Sequence, residues 1–267
     1  MTMIRKLSSL CESLRMPPEV TEQVLQLAES LDLTVLAPDL DKLFRPDSWD
    51  DGLAQLKKQL SPDPQGFKML TCHLLCALKT RAQYESLGID DEIFLATMDC
   101  FPRFVGEHLV SFGKYGFDRD FWTPRQLGCI IFRVGRLEYE HGDGIIDIHI
   151  PSGGILEHTA IAQSLAQGRE FIARYYPAWK DAPMVCHSWL LSPTLTMLLP
   201  ETSGIRTFQS FFDITPTGEE DNSYLEWCYK REDLSLEELP ENTSLQRTLK
   251  AHLLAGNRFL DAKGILK

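Results

Sequence analysis

The sequence is short of positive charge, and it holds no long apolar run, no even set of cysteines and no signature of a nucleotide or zinc site. Lys and Arg number 27 against 38 Asp and Glu, for a net charge of -11. That charge is spread evenly, with -6 up to Asp118 and -5 beyond it. Neither part offers the basic surface that collects phosphates, so nucleic acid and anionic membrane are not expected partners. An acidic chain suits a cationic or amine substrate instead. No stretch approaches the roughly 20 apolar residues of a membrane span. The opening MTMIRKLSSLCESLRMPPEV lacks the apolar core of a signal peptide, and a cytoplasmic protein is expected. Seven cysteines (Cys11, Cys72, Cys76, Cys100, Cys129, Cys186, Cys228) are odd in number and scattered, unlike a secreted disulfide framework. Walker, Rossmann, zinc-protease and nucleophile-elbow motifs are missing. Cys72-His73-Leu74-Leu75-Cys76 puts two thiols on one helix face, but no companion pair completes a zinc site. Those thiols read as core, and no metal is expected.

Hydrophobic residues make up 43% of the 267 and charged ones 24%, the profile of a globular chain long enough for two cores. From Pro17 the run PPEVTEQVLQLAESL places Val20, Val24, Leu25, Leu27 and Leu31 at helical spacing behind prolines that a first turn tolerates. A second helix is expected from Phe67 to Tyr84, stopping near Gly88, and a third from Asp91 through Phe104. Loops are expected at Ala37-Pro38 and at Ser61-Pro62-Asp63-Pro64. After Trp122 the texture becomes β-rich: CIIFRVGRLEYE (129–140) and IIDIHI (145–150) flank the turn residues His141 to Gly144. Pro151 to Gly154 break the strand, a helix runs from Glu157 to Tyr176, and a strand follows from Met184 to Leu191. Strand, loop, helix and strand make a βαβ unit with parallel strands and a right-handed crossover. Ile205–Ile214 and Tyr224–Tyr229 read as two more strands, and Ser244–Leu254 as a late helix. The expected division is a helical domain at 1–118 and an α/β domain at 119–267, an α+β or α/β chain overall.

The segments FRVGRLEYE, IDIHIPSGGIL, VCHSWLL, IRTFQSFF and TSLQRTLKAHLLAGNRFL resemble a bacterial acyltransferase family. In that family a helical N-acyltransferase N-terminal domain precedes a GNAT-like C-terminal domain. FKMLTCHLLCAL, YESLGI and the stretch from Asp99 to Gly116 extend the resemblance over nearly the whole chain. It implies a GNAT-like mixed sheet, acetyl-CoA or another acyl-CoA as cosubstrate, and direct attack by an amine acceptor. It also implies that the pyrophosphate sits on the turn after Ile150. The acyl-CoA arm would then lie between that strand and Met184–Leu191, a slot that requires the two strands to part.

Ser152, Gly153, Gly154, Ile155 and Leu156 are the expected cofactor-binding residues, because a strand-to-helix turn offers bare N–H groups and a helix dipole to a phosphate. The usual GNAT loop carries Gln or Arg before Gly-x-Gly or Gly-x-Ala, which this turn lacks, and a plain strand-to-helix turn needs the same glycines. His149, near the end of the first strand of the βαβ unit, is the first candidate base: an imidazole can take the proton that an ammonium must lose before it attacks. Glu138 is the second, since strand carboxylates serve as bases in many GNAT-like enzymes; the competing reading is a solvated ion-pair ladder with Arg136 and Glu140. His187 is the third, and alternation turns it away from Cys186 and Ser188, which excludes a Cys186–His187 dyad. Asp147 shares a face with His149 and is placed to orient its ring or to hold a cationic acceptor. The resemblance also implies a tyrosine after the second βαβ strand to protonate the departing thiolate; the helix starting near Pro193 has none, so Ser192 or solvent supplies that proton or the reaction is not ordinary acyl transfer. A non-catalytic binding or regulatory module on the same fold is the alternative function.

Overall fold

The computed structural model describes residues 2–154 and 156–267. The chain divides into two compact units, Met1–Arg133 and Val134–Lys267, so residues 119–133 group with the helices.

The first unit is helical. Helices α1 (Met3–Ser13), α2 (Pro18–Ser30), α3 (Leu33–Lys42) and α4 (Trp49–Leu60) precede α5 (Phe67–Leu87), and α6 (Asp91–Met98), α7 (Cys100–Phe112) and the short α8 (Pro124–Leu127) follow it. α5 is buried nearly all round, through Leu70, Cys72, Leu74, Cys76, Ala77 and Tyr84 among others, which marks it as the central helix. Gly66 ends the preceding loop at φ 71°, and a Cβ there would lie 1.9 Å from the Phe117 carbonyl oxygen, so only glycine fits. The expected loop at Ala37-Pro38 is in fact inside α3. Asp32 caps that helix, accepting from Thr34 N–H and Val35 N–H, and burial of Leu36 and Leu40 outweighs the roughly 3 kcal/mol an interior proline costs. The third expected helix is two, parted at Asp99 and continued to Phe112.

Six strands form one sheet: β1 (Ile131–Val134), β2 (Leu137–Gly142), β3 (Ile145–His149), β4 (Met184–His187), β5 (Phe212–Glu220) and β6 (Leu260–Leu266), in the order β1-β2-β3-β4-β6-β5. β2 and β3 form the expected antiparallel hairpin, closed by Asp143 at φ 51° and Gly144 at φ 80°, the left-handed pair that a tight hairpin turn requires. α9 (His158–Tyr175) carries the chain from β3 to β4, and those strands are parallel, as the βαβ reading requires. α9 is fastened to the sheet by Ser164. Its hydroxyl accepts from Arg136 N–H and Leu137 N–H at 3.1 Å each, while Tyr139 Oη donates to the Ser164 carbonyl at 2.6 Å. Gly168 makes room for the same ring, since a Cβ there would fall 2.3 Å from Tyr139 Cζ.

Four expected strands differ in the structure. The run from Cys129 to Glu140 is two strands, β1 and β2, parted by a turn at Gly135 and Arg136. β4 stops at His187, where Ser188 Oγ accepts from Leu190 N–H and starts a 3-10 turn over Trp189–Leu191. Residues 204–209 are helical as α11 (Gly204–Gln209), capped by Ser203, and only from Phe212 does the chain extend. Leu225–Tyr229 is a wide helical turn, because Tyr224, Tyr229 and Leu249 pack into a satellite core with Trp189 and Phe259. The place beside β4 belongs instead to β6, a strand not expected from the residue pattern; Gly264 lies so close to Leu191 and Phe212 that a Cβ would clash with both. α10 (Pro193–Leu198) follows β4, and α12 (Ser244–Leu254) matches the expected late helix, with a Thr243/Gln246 capping box.

Candidate active site

The sheet registers decide which polar side chains meet. Glu138 stands opposite His149 and Glu140 opposite Asp147 across β2 and β3, and Asp147 stands opposite Val185 across β3 and β4. Cross-strand partners share a face and alternate residues repeat it, so Glu138, Glu140, Asp147, His149 and His187 all lie on one face of the sheet. Tyr139, Ile146 and Ile148 take the other face, where Tyr139 meets α9. Cys186 also turns away from the polar face and is fully buried, which pushes its thiol well above the ordinary cysteine range. It has no thiolate to offer, and His187 is not its partner.

The two imidazoles each hold a carboxylate, but not in the pairing expected from the sequence. Asp147 grips His187 twice: His187 N–H donates to Asp147 Oδ1 at 3.2 Å, and the ring Nδ1 lies 3.1 Å from Oδ2. His149 Nε2 lies 2.9 Å from Glu140 Oε2, a diagonal reach past the directly opposed Glu138. A carboxylate only accepts, so each ring donates to its partner, from His187 Nδ1 and from His149 Nε2, and in a neutral His187 ring Nε2 is the basic nitrogen. The rings differ in reach, since the His187 side chain is 41% exposed and the His149 side chain 18%. Burial lowers the His149 pKa, yet the bond to Glu140 and the charges of Asp147, Glu140 and Glu138 together outweigh it and leave the value raised. Glu138 is 3% exposed, so the expected solvated ladder does not exist, and Arg136 lies in the β1–β2 turn rather than on a strand.

β3 and β4 part where this cluster stands. Ile146 pairs with Met184 and Asp147 with Val185, Ile146 N–H donating to the Pro183 carbonyl. The next amide on β4, that of His187, turns to the Asp147 side chain instead of the β3 backbone. Past β3 the chain turns through Ser152 and Gly153, the latter at φ 79° with open space where a Cβ would stand. Gly154 follows, Ile155 lies outside the described residues, and Leu156 sits against Gly204. α9 then begins with no side-chain cap on its first N–H groups. Ser192 is buried, its hydroxyl accepting from Thr194 N–H to start α10. Among the described residues no three His, Cys, Asp or Glu side chains converge as metal ligands, and Cys72 and Cys76 are core. No helix among them is long and apolar enough to cross a membrane.

The profile of the GNAT-like C-terminal domain matches residues 82–266, about two thirds of the chain. The chain belongs to the GNAT-like C-terminal domain family. The N-acyltransferase N-terminal domain matches residues 5–129. Solved structures similar to this GNAT-like chain include an acyltransferase in complex with decanoyl-CoA and teicoplanin, 25% identical over 97% of this chain and 86% of that one, with a TM-score of 0.82. Another is an acyltransferase variant in complex with octanoyl-CoA, 25% identical over 98% and 88%, with a TM-score of 0.83. No curated protein sequence matches the chain. Within the GNAT-like sheet, the Asp147–His187 and Glu140–His149 pairs are what sequence reasoning did not resolve, because both depend on register.

Proposed function

We propose that this protein is an acyl-CoA-dependent N-acyltransferase in which an amine attacks the thioester directly. The observation that carries the reading is the parting of β3 and β4 after Asp147 and Val185, with two carboxylate-held imidazoles at the opening. The likeness to acyltransferases solved with decanoyl-CoA and octanoyl-CoA supports acyl-CoA as donor, medium chains included.

In this reading Ser152 to Leu156 and the uncapped start of α9 receive the pyrophosphate, whose charge the helix dipole favours. The acyl-CoA arm runs back along β3 into the opening. His187 takes the amine's proton, because its Nε2 is the basic nitrogen on the more exposed ring and Asp147 fixes both tautomer and orientation. His149 and Glu138 remain in the same cluster, Glu138 contributing charge rather than proton transfer from its buried position. The acceptor is an amine, and the acidic side chains around the imidazoles favour one that arrives as ammonium.

Calorimetric titration with acetyl-CoA, octanoyl-CoA and decanoyl-CoA, followed by release of free CoA thiol in the presence of primary amines, tests the reading. Heat with at least one donor and amine-dependent thiol release are expected. Absence of heat with all three overturns it.

A further inference from the structure

Transfer of an acyl group from a thioester moves protons at two places. The attacking nitrogen forms the C–N bond and sheds protons, while the C–S bond breaks and its electron pair leaves on sulfur, which takes up one. An ammonium and an acyl thioester therefore give an amide, a thiol and one proton to solvent. One imidazole serves both tasks only in sequence, taking a proton first and giving it up later, whereas two groups in unlike surroundings stand ready for both.

This sheet holds two imidazoles in unlike surroundings, on the two strands that part. His187 is on β4, the more exposed, with one carboxylate behind it. His149 is on β3, more enclosed, bonded to Glu140, directly opposite Glu138 and two residues along the same face from Asp147. That surrounding favours the imidazolium, as the raised pKa expresses. β3 leads into the turn at Ser152 and Gly153, so a CoA whose phosphates rest on that turn brings its sulfur back along the strand that carries His149. We propose that His149 is the proton donor to the departing CoA sulfur, opposite His187, which receives the amine's proton. The inference rests on the acyltransferase reading above. The ammonium's other proton goes to solvent; once the thiol has left, neutral His149 takes a proton back from solvent while His187 gives one up, so that one proton is released per turnover.

A donor acid matters only as much as its leaving group is poor, and this supplies the test. Hydroxylamine serves as acceptor, because it is largely unprotonated at neutral pH and lightens the task of His187. Octanoyl-CoA is compared with the octanoyl thioester of 4-nitrothiophenol, whose thiolate leaves without a proton. His149→Gln is expected to lower hydroxamate formation from octanoyl-CoA by about 100-fold or more, yet to stay within a few-fold of wild type on the nitrothiophenyl ester. Glu140→Gln should follow the same pattern more weakly, and His187→Gln should affect both donors alike. A variant that merely folds less well loses both donors equally, so any result without a donor-dependent loss at His149 overturns the inference. Octanoyl-CoA binding by wild type, measured as heat, separates the two claims: heat without donor dependence removes the role of His149 alone, whereas no heat removes the acyltransferase reading for that donor as well.

Discussion

His73 offers the sharpest test of the helical unit. It sits in the middle of α5 with no exposed surface, its Nδ1 2.7 Å from Thr123 Oγ1 and its ring edge-on to Phe117 at 5.7 Å. Its Nε2 is buried with no hydrogen-bond partner among the described residues, so a second proton would create an imidazolium with no acceptor among them on that side. Burial pushes the pKa down to about 4, Asp120 pulling it back up and Lys57 adding to the fall. In the unfolded chain the value returns to about 6.5. Below about pH 6.5 the unfolded chain takes a proton that the fold refuses, so stability falls with acidification by about 1.4 kcal/mol per pH unit until the fold protonates near pH 4. The whole loss is about 3 kcal/mol, and none of it is felt above the unfolded pKa. Carboxylates titrate in the same window, so the comparison is with His73→Leu, which cannot protonate. Urea midpoints read by pulsed hydrogen exchange on peptides from α5 report the stability of this unit alone. From about pH 7.5 to about pH 4.5 wild type should lose about 2.5 kcal/mol more than the variant. Parallel curves for the two proteins would refute the buried neutral imidazole.

Two further outcomes follow from the second unit. Gly168→Ala places a Cβ against the Tyr139 ring, which is itself held by Ser164, and should destabilise by about 1–3 kcal/mol, read as a lowered thermal midpoint; an unchanged midpoint would mean α9 can shift outward. Asp147→Asn keeps the shape but removes the charge that fixes His187, so kcat for acyl transfer should fall by about 100-fold with KM for octanoyl-CoA little changed, and a change in KM alone would contradict the assigned role.

Local chemistry made much of the fold legible. The α5 register, the Asp143-Gly144 hairpin turn, the α9 crossover and the Ser244–Leu254 helix are each written within a few residues, and each stands where those residues point. Ile205–Ile214 misled because its apolar residues suit a strand, whereas Ser203 caps a helical turn and Phe208 is buried on that helix. Tyr224–Tyr229 misled in the same way, its aromatics serving a satellite core rather than a sheet face. β6 was hidden because its burial depends on Leu191 and Phe212, residues far away in sequence. In the site, parity along single strands correctly put Asp147 with His149 on one face. Parity says nothing about neighbours across strands, and there Glu140 reaches His149 while Asp147 turns to β4.

That turn ties the fold to the chemistry. A parallel strand pair is fixed by how the crossover helix docks, and here Ser164 and Gly168 dock α9 against Tyr139 on β2. The docking sets Ile146 beside Met184, which sets Asp147 beside Val185 and brings His187 within reach of the carboxylate. A slip of one residue on β4 would turn Cys186 and Ser188 to the polar face and send His187 toward α9, where apolar side chains wait. The Asp147 carboxylate guards against that slip by taking the His187 amide as well as its ring. Because that amide is satisfied by a side chain, β4 can leave β3 after a two-residue contact without stranding a donor. One carboxylate therefore both ends the strand pairing that would close the opening and orients the imidazole that stands beside it.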